Sequence, residues 1–377
     1  MTKSLTAAVA ALLLATNTQA QTTVQPKRIS AAHIGLVYPI STNGTSAHQY
    51  TNAMSFHAIA GISSAELSFC AAGVTNIVLD KSQGVIIAGF SNHVRNRVTG
   101  LQAAGFMNTV RHYSKGVQAA GFLNISGHMK GAQLSGFANI ALDDVKGLQG
   151  AGFYNLSMGK TRGAQIAGFM NNAGNVAGVQ LAGFMNTAEN VNTQAAGFIN
   201  KAKKVKGVQL SGFMNIADSS DYPIGFVNIV KKGYKSLGIT MYDGNTTMAT
   251  FRSGGRVMYG VVGIGINHKR FEPLYALEGG IGANINISKL FRVKLEGTST
   301  SYTDFEDEIY LKSSLRILPA VSLGNRLELF AGPTINSVQS DDYDGKGISN
   351  NYIWSNYDWG TFNGLYIGFA AGMHFHL

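Results

Sequence analysis

Ten times between residues 89 and 225 a glycine is followed by phenylalanine: at Gly89, Gly105, Gly121, Gly136, Gly152, Gly168, Gly183, Gly197, Gly212 and Gly225. The intervals are 16, 16, 15, 16, 16, 15, 14, 15 and 13 residues, so the middle of the chain is an array of near-identical short units. The fullest copies read GLQAAGFMN, GVQAAGFLN, GAQLSGFAN, GLQGAGFYN, GAQIAGFMN, GVQLAGFMN and GVQLSGFMN. A unit this short cannot enclose a core by itself, so each must be completed by its neighbours in a stack or meander of like elements. The outermost copies degrade: GVIIAGFSN has no glutamine and PIGFVN is cut short, as expected of capping units.

Within a copy the alternation has period two, which predicts a strand. In VQLSGFMNI, Val208, Leu210, Gly212, Met214 and Ile216 fall on one face, and Gln209, Ser211, Phe213 and Asn215 on the other. Two architectures use such a strand. In a β-solenoid each copy is one coil that bends at the recurrent glycine, with Gln, Phe and Asn stacking from coil to coil. In a transmembrane meander each copy spans the bilayer, with Val, Leu and Met toward lipid and Gln and Asn toward the lumen. The solenoid is favoured, because an up-and-down barrel duplicates by hairpins, whereas consecutive copies here look alike and linkers such as TVRHYSK, ALDDVK and KAKKVK do not alternate short and long. On either reading the apolar face is expected to be buried, in the coil interior or in lipid, and the amide face to satisfy itself by ladders or water.

The rest of the 377 residues divides around this array, residues 84–229. Residues 1–20 predict a secretory signal peptide: Lys3, an apolar stretch from Leu5 to Ala15, then Thr18-Gln19-Ala20 ahead of the expected cut. Residues 21–83 are expected to form N-terminal strands that cap the array. The single cysteine, Cys70, cannot form an internal disulfide and is read as a small buried apolar residue. The formal charge is +10 but the basic residues are dispersed, with Lys201, Lys203, Lys204 and Lys206 the main cluster, so nucleic acid is not an expected partner.

Residues 230–377 alternate differently. Tyr275, Leu277, Ile281, Ile285 and Ile287 share a face opposite Glu278, Asn284 and Asn286, and Ile309, Leu311, Leu315 and Ile317 oppose Tyr310, Lys312, Ser314 and Arg316. Charges on one side of long strands and aliphatic residues on the other predict an antiparallel outer-membrane-type barrel, with lipid outside and water inside. Tight connections at Ser288-Lys289 and 323–325 alternate with the longer TDFEDE and the stretch from Gln339 to Asn363. The closing LYIGFAAGMHFHL has the form of a strand read by the outer-membrane assembly machinery, although it ends in Leu377 where an aromatic residue is commoner. The fold class expected is all-β: a short-period repeat array, solenoid favoured and extra barrel strands the alternative, followed by the barrel.

The GhQxxGFxN array, with PIGFVNIVKKGY, FRSGGRVMYGVVGIGINH, ELFAGPTIN and YIGFAAGM, resembles bacterial surface-repeat proteins of the kind common among Bacteroidota. That resemblance implies an outer-membrane or cell-surface location and brings no catalytic residues.

Residues for chemistry are sparse. None of the HExxH, GxSxG or GxxxxGK[ST] patterns occurs. GVVGIGIN and EGGIGAN have no strand-turn-helix context for phosphate, so theirs are strand glycines. His374 and His376 share a strand face and read as polar residues near a barrel rim. Asp341, Asp342 and Asp344 before Gly345 lack the downstream glutamate of a calcium loop and read as a solvated turn. The contact residues singled out are Trp354, Trp359, Tyr352 and Tyr357 of one long loop, which would stack on a glycan or surface partner, or else pack over the barrel mouth. No cofactor and no enzyme activity are expected. The function read from the sequence is a structural or surface-display role in the outer membrane, with outer-membrane lipid and assembly machinery as partners. A wide-lumen diffusion channel or an adhesin is the alternative.

Overall fold

The computed structural model describes residues 28–268, 274–288, 290–305, 309–324, 326–341, 348–349 and 351–377. The expected signal peptide, most of the DFEDE carboxylates, and Asp342, Asp344 and Gly345 lie outside them. Of the described residues 78% are strand and 2% helix, built as a parallel β-solenoid of about 11 turns followed by a closed antiparallel barrel of 8 strands. The repeats are therefore coils, and the alternative of extra barrel strands is set aside.

Coil stacks on coil in register. Gly131 to Ser135 pair in parallel with Gly116 to Ala120 on one side and with Gly147 to Ala151 on the other, so each residue of the phrase meets its own equivalents. The same sheet begins at Arg28–Val37, so the N-terminal segment is a continuation of the solenoid with a worn sequence. Two glycine columns make the coil possible. Gly163 adopts φ +136 and a Cβ there would stand 2.0 Å from Gly147 O; a Cβ on Gly168 would stand 2.1 Å from Gly152 O. Neither column accepts a side chain, because each coil's backbone rests directly on the last.

The polarity of the coil reverses the expectation. Gln209 is 0% exposed and Asn215 0%, whereas Leu210 is 47% and Val208 38% exposed. The amide face is the interior and the apolar face is the exterior. Phe213 also points outward, 40% exposed, so it does not share the face of Gln209 and Asn215. The Gly-Phe pair turns a corner of the coil with both residues outside, so Phe213 leaves the interior although Gln209, Ser211 and Asn215 keep one parity, which a strict period of two cannot foresee.

Inside, Asn side chains form one hydrogen-bonded column from Asn76 to Asn228; Asn139 Nδ2 donates to Asn155 Oδ1 at 3.0 Å, and Asn155 Nδ2 to Asn171 Oδ1 at 2.9 Å. From Asn76 to Asn215 each amide also donates to a backbone carbonyl of the following segment, as Asn155 Nδ2 does to Ile166 O at 2.7 Å, whereas Asn228 turns back to Gly225 O. A parallel column of Gln runs from Gln102 to Gln209, with Gln165 Nε2 donating to Gln149 Oε1 at 2.8 Å. Pro223 occupies the next rung and ends it. The remainder of the interior is small, with Ala173, Val176, Ala188, Val191, Ala202 and Val205 packed together and Ser126, Ser157 and Thr161 also buried. These come from the linkers, which are largely extended rungs of the ladder with their charges turned outward: KAKKVK lies almost wholly within the strand Ile199–Val205.

The barrel strands are Tyr234–Tyr242, Thr246–Gly254, Met258–Asn267, Leu274–Asn286, Phe291–Thr303, Ile309–Leu323, Leu327–Ser340 and Thr361–His376, closed by pairing of the first with the last. A ninth strand, Trp354–Asp358, extends the last one as a hairpin beyond the closed wall. The strand Ile309–Leu323 is exposed at Ile309, Leu311, Leu315 and Ile317 and buried at Tyr310, Lys312, Ser314 and Arg316, as its alternation predicts.

Candidate functional site

Eight strands enclose just enough room for side chains, and here the lumen is filled. Arg252 meets Glu296 with two bonds, Nε to Oε1 at 2.7 Å and Nη2 to Oε2 at 3.1 Å, and the Tyr259 hydroxyl donates to the same carboxylate at 2.9 Å. Arg316 Nη2 donates to Glu278 Oε2 at 2.6 Å, and Tyr242 and Thr300 hydroxyls complete that carboxylate's shell. Toward the rim Glu328 is paired with Lys294, with Arg292 at 3.0 Å, and lies 3.5 Å from His374. Lys312 stands over the rings of Tyr242 and Tyr302 at 4.9 and 5.5 Å. This network occupies the space that a diffusion channel would need. The wide-lumen alternative also required the repeats to be wall strands, which they are not.

The outer wall is the reverse. Ile264, Leu277, Leu315, Ile317, Ile367 and Phe369 are all more than half exposed. Grooves between them are lined by Leu237, Ile239, Phe251, Val262, Met373 and Phe375, with no charged group.

The four loop aromatics are not brought to one surface. Trp354 pairs across from Leu365 and is exposed like it; Tyr357 pairs with the buried Phe362 but is itself exposed. Trp359 sits at the hairpin tip with φ +51, 97% exposed. Tyr352 turns into the barrel mouth, edge-on to Phe362 and Tyr366 at 5.1 and 5.7 Å. His374 is buried in the lumen beside Lys294 and His376 is half-buried near it. Among the described residues no group of three or more His, Cys, Asp or Glu is placed to hold a metal ion.

The barrel's two rims differ. The strands at Tyr234 and His376 start and finish at one rim, where the connections, 255–257 and those after Asn286 and Leu323, are all short; the other rim holds the tight turn 243–245, the longer connections after Asn267, Thr303 and Ser340, and the Trp359 hairpin. The solenoid joins at the short-turn rim, and its last coil rests on the outside of the wall. Asn228 N donates to Ser253 Oγ at 3.2 Å, and Arg256 forms a bidentate pair with Asp221 at 2.9 and 2.8 Å. Gly260 and Gly279 leave room for this coil: a Cβ on Gly260 would meet Phe226 O at 2.5 Å, and one on Gly279 would meet Phe226 Cε1 at 2.5 Å.

Phe226 stands one coil beyond the last ring of a stacked column, at the position equivalent to Phe213. From Phe90 to Phe213 the rings stack on the solenoid exterior with centroids 4.7 to 5.2 Å apart and planes within 19°. Sequence reasoning did not find this seat, nor a second exterior column: Lys115, Lys130, Lys146 and Arg162, in register on successive coils. The signal for it was present, since each of the four immediately precedes the first glycine of its phrase.

At the N-terminal end the amide columns give way to a buried titratable cluster. Asn52 and Ser55 donate to Glu66 at 3.0 and 2.8 Å, and the rings of His33 and His57 meet edge to face at 4.5 Å. Burial raises the Glu66 carboxyl above its ordinary range against those hydrogen bonds, and holds His57 at about 4 with the help of His33. Cys70 is buried as read from the sequence; its thiol donates to Asn76 Oδ1 at 3.2 Å, and burial, with Glu66 alongside, pushes it well above the usual range.

No protein-family model matches this chain, and neither a curated protein nor a solved structure is similar to it. The functional reading therefore rests on geometry.

Proposed function

We propose that the chain is a non-enzymatic outer-membrane protein in which the eight-strand barrel is the anchor and the solenoid a rigid arm attached at the short-turn rim. The observation that carries this is the wall: aliphatic and aromatic side chains cover the outside of a closed barrel whose inside holds Arg252, Glu296, Arg316, Glu278, Lys294 and Glu328 fully or nearly fully buried. A soluble protein hides the first set and displays the second, whereas a lipid-facing barrel does the opposite. Every barrel strand has at least the 9 residues of Tyr234–Tyr242 and Thr246–Gly254, and about 9 to 11 tilted residues span an outer membrane. The resemblance of the repeats to bacterial surface-repeat proteins, and the signal-peptide pattern, agree with that location. Barrels of this class keep short turns in the periplasm and long loops outside, so the solenoid is assigned to the periplasmic side and the Trp359 hairpin to the cell surface. The decisive measurement is fractionation: the protein should remain in the membrane pellet through carbonate extraction and run faster on gels unheated than boiled. Release into the carbonate supernatant, with no heat-dependent shift, overturns the reading.

A second reading attaches to the hairpin. Trp354, Tyr357 and Trp359 stand exposed on it, and such rings can stack on sugars at the surface. Glycan binding that survives Trp359→Ala and Trp354→Ala would remove that role from the hairpin.

A further inference from the structure

Around each coil the exterior changes character twice. Between the kink glycine and the Gly-Phe bend it is aliphatic, exposed at Val117, Leu134, Ile166 and Leu181, and the bend adds the phenylalanine column. The connecting segment on the far side is charged, with Arg111, His112, Lys203 and Lys204 exposed. Rungs of a parallel sheet lie about 4.8 Å apart, so the aliphatic and aromatic strip runs on for tens of ångströms. A continuous apolar surface of that extent on one side only calls for an occupant.

Two observations say which. The first is continuity: Phe226, in register one coil beyond the last stacked ring, Phe213, is seated on the outer wall over Gly279, so the strip runs into the surface that faces lipid. The second is charge. The column Lys115, Lys130, Lys146 and Arg162 borders the strip on the side away from the phenylalanines. Like charges stacked at rung spacing repel. Asp144 stands 3.8 Å from Arg162, and the three lysines make no ion pair among the described residues. Anions supplied from outside along that edge would relieve the repulsion, and lipid phosphates lie at the boundary between apolar and aqueous phases.

We propose that the solenoid lies in the membrane leaflet on the short-turn side, with the phenylalanine column among the acyl chains and the Lys115–Arg162 column at the level of anionic lipid phosphates. The assignment rests on the anchor reading of the barrel. It is the sheet counterpart of an interfacial amphipathic helix, which buries one apolar face at the headgroup boundary and holds cations beside it, the lysine stems reaching up to the headgroups.

The test uses the full chain carrying one environment-sensitive fluorophore, at Leu181→Cys on the strip or at Lys204→Cys on the charged side. Cys70 is buried and does not compete for label. The protein is reconstituted into phosphatidylcholine vesicles, with or without phosphatidylglycerol, containing lipids that bear a nitroxide on the acyl chain. The label at position 181 should lose emission and that at 204 should not. Lys115→Gln, Lys130→Gln and Lys146→Gln combined should weaken quenching at 181 only where phosphatidylglycerol is present. The heat shift is read on the same samples. A shifted barrel with an unquenched strip overturns the leaflet assignment and leaves the anchor standing; absence of the shift overturns both. Self-quenching between labels at 181 without lipid quenching would assign the strip to a second copy instead. Quenching in phosphatidylglycerol that the triple variant leaves unchanged would remove the basic column's role.

Discussion

Residue by residue, the protein forbids charge in a phrase whose two faces have opposite environments. Inside, Asn155 donates to Asn171 Oδ1 and Ile166 O and accepts from Asn139, so its amide is engaged by both neighbouring coils and by the far segment of its own. An amide column of this kind supports a polar interior only while every member is satisfied. Asn155→Ala leaves Asn171 Oδ1 and Ile166 O without that donor, each orphaned buried group costing about 1 to 3 kcal/mol. Phe153 lies outside, and its stacking contacts with Phe137 and Phe169 contribute about 0.5 to 1.5 kcal/mol. Asn155→Ala should therefore destabilise the solenoid by more than Phe153→Ala does. Hydrogen exchange of residues 139–171 would show the order; equal loss of protection in the two variants would mean that the amide column is not what holds the coils together.

Among the described elements outside the barrel, the first coils carry a strong dependence on pH. His57 has an ordinary value of 6.5 and is held at about 4 in the fold. Between those values the unfolded chain takes up a proton that the folded coil refuses, so stability falls as pH falls through that window, by about 3 kcal/mol at full extent. Glu66 acts in the opposite sense. Its raised carboxyl keeps its proton longer in the fold, so the stability it contributes is complete below 4.5 and lost as pH rises through the raised value. The histidine effect should dominate near pH 4 in the exchange protection of the strand Tyr50–Ser63, and His57→Gln should flatten it; an unchanged acid limb in that variant would place the dependence elsewhere. How these elements read from sequence follows from the same chemistry. The barrel was legible because Lys312 and Arg316 alternate with Leu311 and Leu315, and charge tells inside from outside directly. The coil period was legible in the Gly-Phe spacing. Which face of the coil is interior was not, because Gln209 and Asn215 become good core residues only when an identical side chain stands one rung away, a relation between coils that no single strand displays. The seat of Phe226 on Gly279 was equally hidden, since strand glycines carry no sign of what rests on them. The four aromatics of the 352–359 loop were visible as a group, yet the pairing of Trp354 with Leu365 and the inward turn of Tyr352 divide them between faces.

The whole molecule inverts the usual order twice, with amides inside an apolar-sided solenoid and ions inside an apolar-sided barrel, and the two apolar surfaces meet at Phe226. With eight strands and the Arg252–Glu296 and Arg316–Glu278 pairs across its lumen, the barrel should give no conductance steps in planar bilayers at any ordinary voltage. Removing one member of a buried pair costs about 3 to 5 kcal/mol, so the filling is not expected to clear by fluctuation; large uniform steps would contradict that. Orientation is the remaining whole-molecule consequence. The Trp359 tip and the solenoid leave the barrel from opposite rims, so the anchor role proposed above predicts that a membrane-impermeant maleimide reaches them from opposite sides. In intact cells Trp359→Cys should label and Lys204→Cys should not, the latter reacting only once the outer membrane is permeabilised; Cys70, buried, supplies little background. Both positions are exposed and neither contributes to a core, so the variants test topology without disturbing the fold. Labelling of Lys204→Cys in intact cells, with Trp359→Cys protected, would turn the molecule over and make the solenoid the displayed part, lying on the outer leaflet where its basic column would face the phosphates of the surface lipid.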